Sequence, residues 1–373
     1  MSNSIGGDAT SRGTRARSAV IVKLLLIVFL VYIFVLGVTL LGAAFKMAGK
    51  GTAETIIELT STPIVGLMIG ILSTAIVQSS SFTTSLVVAM VAGPALTFEN
   101  AIPIIMGANI GTSVTNTIVS LAHIQQNEEF KRAFAGSIVH DFFNICTVLV
   151  LYPLQYYFDL VGGSARMVEK LFEGFGGLEF SSPLAAATKP VAKAIIHLSG
   201  DNAWIAVVIA LALLFLALRY IVKILKTLVL AKVERFFQRY IFRTPALGFI
   251  LGIMLTVMVQ SSSITTSLVV PLIGAGVITL QQLFPYVLGA NIGTTITAFL
   301  ASFATGRADS ISVAFAHLFF NIYGTVIFWP LQRIPIKMAE KMAELTQKSK
   351  LIPIVYIAIM FFALPGLVIY LFK

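Results

Sequence analysis

The sequence predicts an all-α polytopic membrane protein made of two inverted-topology repeats, each with a re-entrant helical hairpin and a broken transmembrane helix. Three observations lead there. First, the 373 residues are 57% hydrophobic and only 11% charged, against roughly 25% charged in a soluble domain. Second, VQSSSFTTSLVV at 77–88 returns as VQSSSITTSLVV at 259–270, identical except for Phe82 against Ile264, and GANIGT at 107–112 returns at 289–294, both displaced by 182 residues. Third, equivalent apolar runs carry their Lys and Arg clusters at opposite ends. Because positive charge marks the cytoplasmic end of a span, equivalent spans cross in opposite directions.

Taken in order, residues 1–18 are rich in Ser, Gly and Arg and are expected to be disordered and cytoplasmic. Repeat one occupies 19–158 and begins with a span at 24–45, preceded by Arg12, Arg15, Arg17 and Lys23. That run is too long for a signal-peptide core and reads as a retained span. A polar outer connector at 46–61 leads to Thr62-Pro63, which opens a hairpin at 62–98. Its two arms are about 15 residues each, short of the ~20 that cross a bilayer, so the QSSS between them belongs at mid-membrane depth. Pro103 starts a helix at 101–121, interrupted at GANIGT because glycine permits unusual backbone shapes. A polar loop at 122–132 then precedes a helix at 134–157.

Residues 159–202 form an extracytoplasmic linker. Repeat two, 203–332, has a span at 204–222, a basic cytoplasmic segment at 223–243, a hairpin at 244–280 opened by Thr244-Pro245, a helix at 283–302 starting at Pro285, and a helix at 312–332. In this last helix the offset falls to 177, where His317 and Asn321 match His140 and Asn144. A cytoplasmic amphipathic segment at 333–350 places Ile334, Met338, Met342 and Leu345 on one face, and 351–373 holds a C-terminal span.

The chemistry follows from the duplicated polar strings. A half-helix starting at each hairpin tip offers free backbone N–H groups and a positive dipole end, which attract an anion. Hydroxyls add donors and acceptors. Ser79, Ser80, Ser81 and Thr83, with Ser261, Ser262, Ser263 and Thr265, are therefore the candidate anion ligands. Gln78, Thr84, Asn109 and Thr112, with Gln260, Thr266, Asn291 and Thr294, supply neutral oxygens for a hard cation such as sodium. Small polar residues also serve helix packing in membranes, but packing gains nothing from the glutamines. Asp141 either ligates a cation or pairs with Lys131 or Arg132, and the pair is the favoured reading. His140 and His317 are assigned to helix–helix hydrogen bonding rather than proton relay.

Other classes are excluded by what is missing. The net charge of +10 lies beside apolar runs and does not mark a nucleic-acid protein. One cysteine, Cys146, rules out an intrachain disulfide. No GxSxG, Walker-type loop or HExxH occurs, so neither an enzyme nor a nucleotide-driven pump is indicated. The residues alone lead to a small anion moved with a cation, with no cofactor other than sodium as co-substrate.

Duplicated QSSS, each followed by GANIGT, with RAFAGSIVHDFFN at 132–144, resembles the type II sodium-dependent phosphate cotransporters, in a bacterial-type member. The resemblance covers roughly 62–155 and 244–332. It implies sodium-driven uptake of inorganic phosphate by alternating access, with both hairpins lining the site. A passive anion channel, or a carrier of another small oxyanion, is the alternative. Electrogenic relatives carry an Asp in the loop before RAFAG, and that position falls near Gln126 here. Animal relatives also carry a large disulfide-bonded, glycosylated loop between the repeats, absent from 159–202. The expected setting is the plasma or inner membrane with the N-terminus cytoplasmic; phosphate, sodium and lipid are the partners, and a homodimer is the candidate assembly.

Overall fold

A computed structural model describes residues 6–112, 114–174, 183–240 and 244–372, and within them every regular element is helical. Part of the 159–202 linker and the end of the basic segment before the second hairpin lie outside the described residues.

Helix α1 (Gly6–Ala48) includes an apolar stretch, Ser18–Ala48, long enough to cross a bilayer. Of the stretch expected to be disordered, residues 1–5 lie outside the described residues and the backbone is helical from Gly6. Ala9, Ala16 and three arginines are good helix formers and extend the turns nucleated by the span. The polar connector is itself a helix, α2 (Lys50–Thr60), bent by 98° from α3 (Pro63–Val77). Helix α4 (Ser80–Ala92) returns, so α3 and α4 form the first hairpin. At about 1.5 Å per residue, the 15 residues of α3 reach only ~22 Å, which fits a re-entrant arm and not a crossing.

Helix α5 (Phe98–Gly111) ends inside GANIGT, and α6 (Val114–Ser120) follows across the predicted break. Pro103 does not start α5 but sits within it. The start belongs to Thr97, whose hydroxyl accepts from the Asn100 N–H at 3.2 Å. Helix α7 (Asn127–Phe158) begins seven residues before the expected 134, so the polar loop is shorter than predicted. The linker contains α8 (Leu160–Gly174) and α9 (Pro183–Leu198).

In repeat two, α10 (Ala203–Tyr240) carries the span and continues through the basic stretch. Hairpin two consists of α11 (Pro245–Val259), then α12 (Ser262–Ser267) and α13 (Val270–Gly274). The return arm is broken here and continuous in repeat one, where Ala89 stands at the position of Pro271. Proline removes the N–H that would bond the preceding turn and its ring crowds that turn's carbonyl. Helix α14 (Leu280–Thr305) runs unbroken through the second GANIGT, which corrects the expected interruption there. Glycine permits a break without imposing one. Its cap is a Thr279–Gln282 capping box, so Pro285 does not start this helix either.

Helices α15 (Ala308–Phe328) and α16 (Arg333–Glu344) follow, then α17 (Ile352–Ile357), a π-helical turn at Ala358–Ala363, and α18 (Leu364–Phe372). Helix α16 lies on α7 through Pro335, Ile336, Ala339 and Ala343, while Ile334 and Leu345 of the predicted face stay exposed. By length and composition seven helices of the described residues can cross a membrane, so the chain is a multi-pass membrane protein.

The hairpins are held by backbone approach at glycines. A methyl group on Gly107 would strike the Leu67 carbonyl, and one on Gly70 the Ile104 carbonyl. In repeat two Gly289 meets the Phe249 carbonyl and Gly252 that of Tyr286, the same contacts displaced by 182 residues. Small residues permit this close packing where lipid provides no hydrophobic drive between helices. Helices α1 and α10, equivalent by the same offset, lie against each other. Gly107→Ala is expected to lower the unfolding midpoint in detergent, at an overpacking cost of about 1–3 kcal/mol. Gly51→Ala, which meets nothing within 4 Å, should leave it unchanged or higher; scanning fluorimetry checks the contrast, and equal midpoints would contradict it.

Candidate functional site

Each QSSS string builds a tip in the same way. Gln78 (φ 58°, ψ 30°) and Gln260 (φ 59°, ψ 26°) end the entering arms in the left-handed conformation. That conformation lets the chain reverse at once, at a cost a non-glycine residue bears only where its surroundings hold it. The Gln78 amide donates to the Ala75 carbonyl and the Gln260 amide to the Val257 carbonyl at 2.6 Å, tying each side chain back over its own helix end. Extended residues follow, Ser79 (φ −152°) and Ser261 (φ −156°). Their hydroxyls accept from the N–H groups of Phe82 (3.2 Å) and Ile264 (3.4 Å), capping the returning arms.

The two tips meet. Ser81 Oγ donates to the Gln260 carbonyl at 3.5 Å and accepts from Thr297 Oγ1 at 3.1 Å. Ser263 Oγ donates to the Thr112 carbonyl at 3.3 Å. One cavity of about 540 Å³ is walled by Gln78, Ser79 and Ser81 from one hairpin, Gln260, Ser261 and Ser263 from the other, and Thr115. Thr115 also donates to Gln78 Oε1 at 2.8 Å, a bond made accessible by the break before α6. The same wall includes Phe82, Ile264 and one face of α10 with Phe215, Arg219, Lys223 and Lys226.

Not every expected ligand lines this cavity. Ser80 and Ser262 are buried and off its wall, because a helix that starts there turns the second serine to the opposite side. Thr83 lies inside its hairpin, accepting from Thr74 Oγ1 at 2.9 Å and donating to the Ser79 carbonyl at 3.3 Å. Thr265 donates to the Ser261 carbonyl at 2.8 Å. Thr84 donates to the Ser80 carbonyl at 2.9 Å. Thr112 and Thr294 each donate to the carbonyl one turn back at 3.0 Å. Thr266 accepts from Asn116 Nδ2 at 2.8 Å, and Asn116 Oδ1 is a buried oxygen with no hydrogen-bond partner among the described residues. Among those residues no three His, Cys, Asp or Glu side chains gather, and the side-chain oxygens that line the cavity are those of glutamine, serine and threonine.

Behind the tips lies a fully buried polar network. His140 Nε2 meets Asn291 Oδ1 at 2.5 Å, and Asn291 Nδ2 donates to Asn144 Oδ1 at 2.9 Å. The equivalent residues repeat the pattern: His317 Nε2 meets Asn109 Oδ1 at 3.3 Å, and Asn321 Nδ2 donates to the same oxygen at 3.5 Å. Both bonds run from the late helix of one repeat to the GANIGT of the other. The assignment of both histidines to helix–helix hydrogen bonding therefore matches the geometry. Asn109 and Asn291, expected as cation ligands, spend their side chains here.

Asp141 has a partner the sequence reading missed. Tyr356 Oη of α17 donates to Asp141 Oδ2 at 3.0 Å, whereas Arg132 Nε donates to the Gly274 carbonyl at 2.9 Å. The hydrogen bond that Asp141 makes is therefore to Tyr356, while Arg132, one of the two expected partners, is turned to Gly274, and the aspartate ties α7 to the C-terminal span. Lys223 and Lys226 were read as flanking charge alone and Arg219 was not singled out; the i, i+4, i+7 spacing of Arg219, Lys223 and Lys226 is the signal that places them on one face.

The Na+/Pi-cotransporter family model matches residues 33–180 and 213–367. The chain belongs to that family. Curated relatives agree: sodium-dependent phosphate transport protein 2A of sheep is 35% identical over 95% of this chain and 68% of its own length. The rat 2A protein is 34% identical over 93% of this chain and 67% of its own, and the human 2B protein 33% over 92% and 64%. The sheep alignment runs over 436 positions against 373 residues, so that relative carries inserted segments. No solved structure matches the chain. Both matched parts of this family member contain a complete QSSS tip and its GANIGT block. Asn291→Ala is expected to lower the unfolding midpoint in detergent, because stranding buried polar partners costs about 1–3 kcal/mol. An unchanged midpoint would show that the network contributes nothing to packing.

Proposed function

We propose that the chain is a secondary active symporter, driving inorganic phosphate into the cell with sodium by alternating access. The single observation that carries this reading is that the two duplicated tips line one cavity. The names of the curated relatives, sodium-dependent phosphate transport proteins, supply the substrate and the coupling ion.

Ser81 and Ser263, with the capping residues Ser79 and Ser261, hold phosphate oxygens through hydroxyl and tip N–H donors. Sodium takes neutral oxygens beside them, from Gln78, Gln260, Thr115, Thr266 and Asn116. The two halves have inverted topology. Opposed charge flanks support this, as do the reciprocal His140–Asn291 and His317–Asn109 bonds, the pattern a two-fold exchange produces. With α10's basic end in the cytoplasm, the N-terminus is cytoplasmic too and the cavity between the tips is the inward-facing one. The membrane is the plasma or inner membrane.

In proteoliposomes, phosphate should accumulate above equilibrium only under an imposed inward sodium gradient. Equilibration without a gradient would mark a passive anion channel. Ser81→Ala and Ser263→Ala should each raise half-saturating phosphate by about ten-fold or more, since a hydrogen bond to a charged group contributes roughly 1.5–3 kcal/mol. Unchanged uptake by both would remove the tips from the site.

A further inference from the structure

The three cations on α10 belong to the cavity and not merely to the flank. Arg219, Lys223 and Lys226 fall at i, i+4 and i+7, so they share one helix face over about 10 Å of rise. All three line the wall that Ser79, Ser81, Ser261 and Ser263 complete. Placing positive charge at a cytoplasmic helix end calls for a number of charges and no particular face. Arg219, Lys223 and Lys226, by contrast, all sit on the face that borders the cavity.

Nor does the repeat account for them. The α1 positions equivalent to Arg219, Lys223 and Lys226 are Gly37, Leu41 and Ala44, and both Leu41 and Ala44 are fully buried. The one position at which the duplicated dodecapeptides differ, Phe82 against Ile264, bears on the same wall. Phe82 packs edge-on to Phe215, centroids 5.9 Å apart at 82°, and the Arg219 guanidinium lies 6.0 Å from the centre of that Phe215 ring. Lys223 stands 5.9 Å from the Tyr220 ring. The asymmetric aromatic therefore joins the first tip to the innermost cation, and the other two step outward from it.

We infer that Arg219, Lys223 and Lys226 form an electrostatic staging ladder for phosphate between the QSSS tips and the cytoplasmic mouth, a device that the equivalent positions of α1 lack. The inference rests on the phosphate reading above. Such a ladder raises the local concentration of a small dianion and is screened by salt. A lipid headgroup offers the same phosphate chemistry, but the ladder is assigned to the free ion because its wall is shared with the tip serines.

The test compares wild type with Arg219→Gln and with Lys223→Gln/Lys226→Gln in oriented proteoliposomes, with Arg219→Lys as the charge-preserving variant. Half-saturating phosphate is read at each face. Neutralisation should raise the cytoplasmic value about five-fold at ~0.05 M ionic strength and under two-fold at ~0.5 M, where the Debye length is only a few ångströms. The outer-face value and half-saturating sodium should move less than about two-fold, and Arg219→Lys should behave as wild type. Equal shifts at both faces, or none, overturn the ladder while leaving symport standing. An effect confined to vesicles containing about one third phosphatidylglycerol, and absent in phosphatidylcholine, assigns the cations to lipid and also overturns it. Wild type that moves no phosphate overturns the symport reading and the ladder with it.

Discussion

Backbone polar groups left inside a membrane have to be satisfied within the protein, and that constraint shapes everything at the two tips. Reversing the chain between two short apolar arms frees the last carbonyls of one arm and the first N–H groups of the next. Glutamine in the left-handed conformation folds its amide back onto the first set, and an extended serine caps the second. What is left over is useful: the serine two places after each cap projects into shared space, where groups of the other repeat meet it, the Gln260 carbonyl and Thr297 hydroxyl at Ser81 and the Thr112 carbonyl at Ser263. The hairpins can stand this close to their neighbours because glycines let backbone meet backbone on α5 and α14.

A second layer fixes the two halves relative to each other. The His140–Asn291–Asn144 chain and its counterpart around Asn109 cross the divide in both directions, so a shift of one late helix disturbs the GANIGT segment of the other repeat. Buried networks of this kind specify an arrangement strongly because any partial loss strands polar atoms. They also offer a route by which events at one tip reach the other, since α5 and α14 each pack against a hairpin.

Much of this was legible in the residues. The repeats, both hairpins and the residues at each turn follow from the duplication and from arms too short to cross. Other features were not. Proline 103 and 285 drew the helix starts inward, although Thr97 and Thr279 were the true caps and stood in plain view. The two GANIGT blocks are identical yet only the first breaks, because glycine sets what is allowed and the neighbouring packing sets what occurs. Pro271, by contrast, marks its break openly. Ser80 and Ser262 look equivalent to their neighbours in a string, and only a helix phase turns them away from the cavity. The tie between Asp141 and Tyr356 spans 215 residues and has no local signature.

The central claim is that two tips make one site. Titration of phosphate into the purified protein at physiological salt, by calorimetry with sodium and with choline in its place, tests it directly. One phosphate per chain, bound in sodium and absent in choline, is the result the account predicts. Two independent phosphates per chain, one for each repeat, would contradict it.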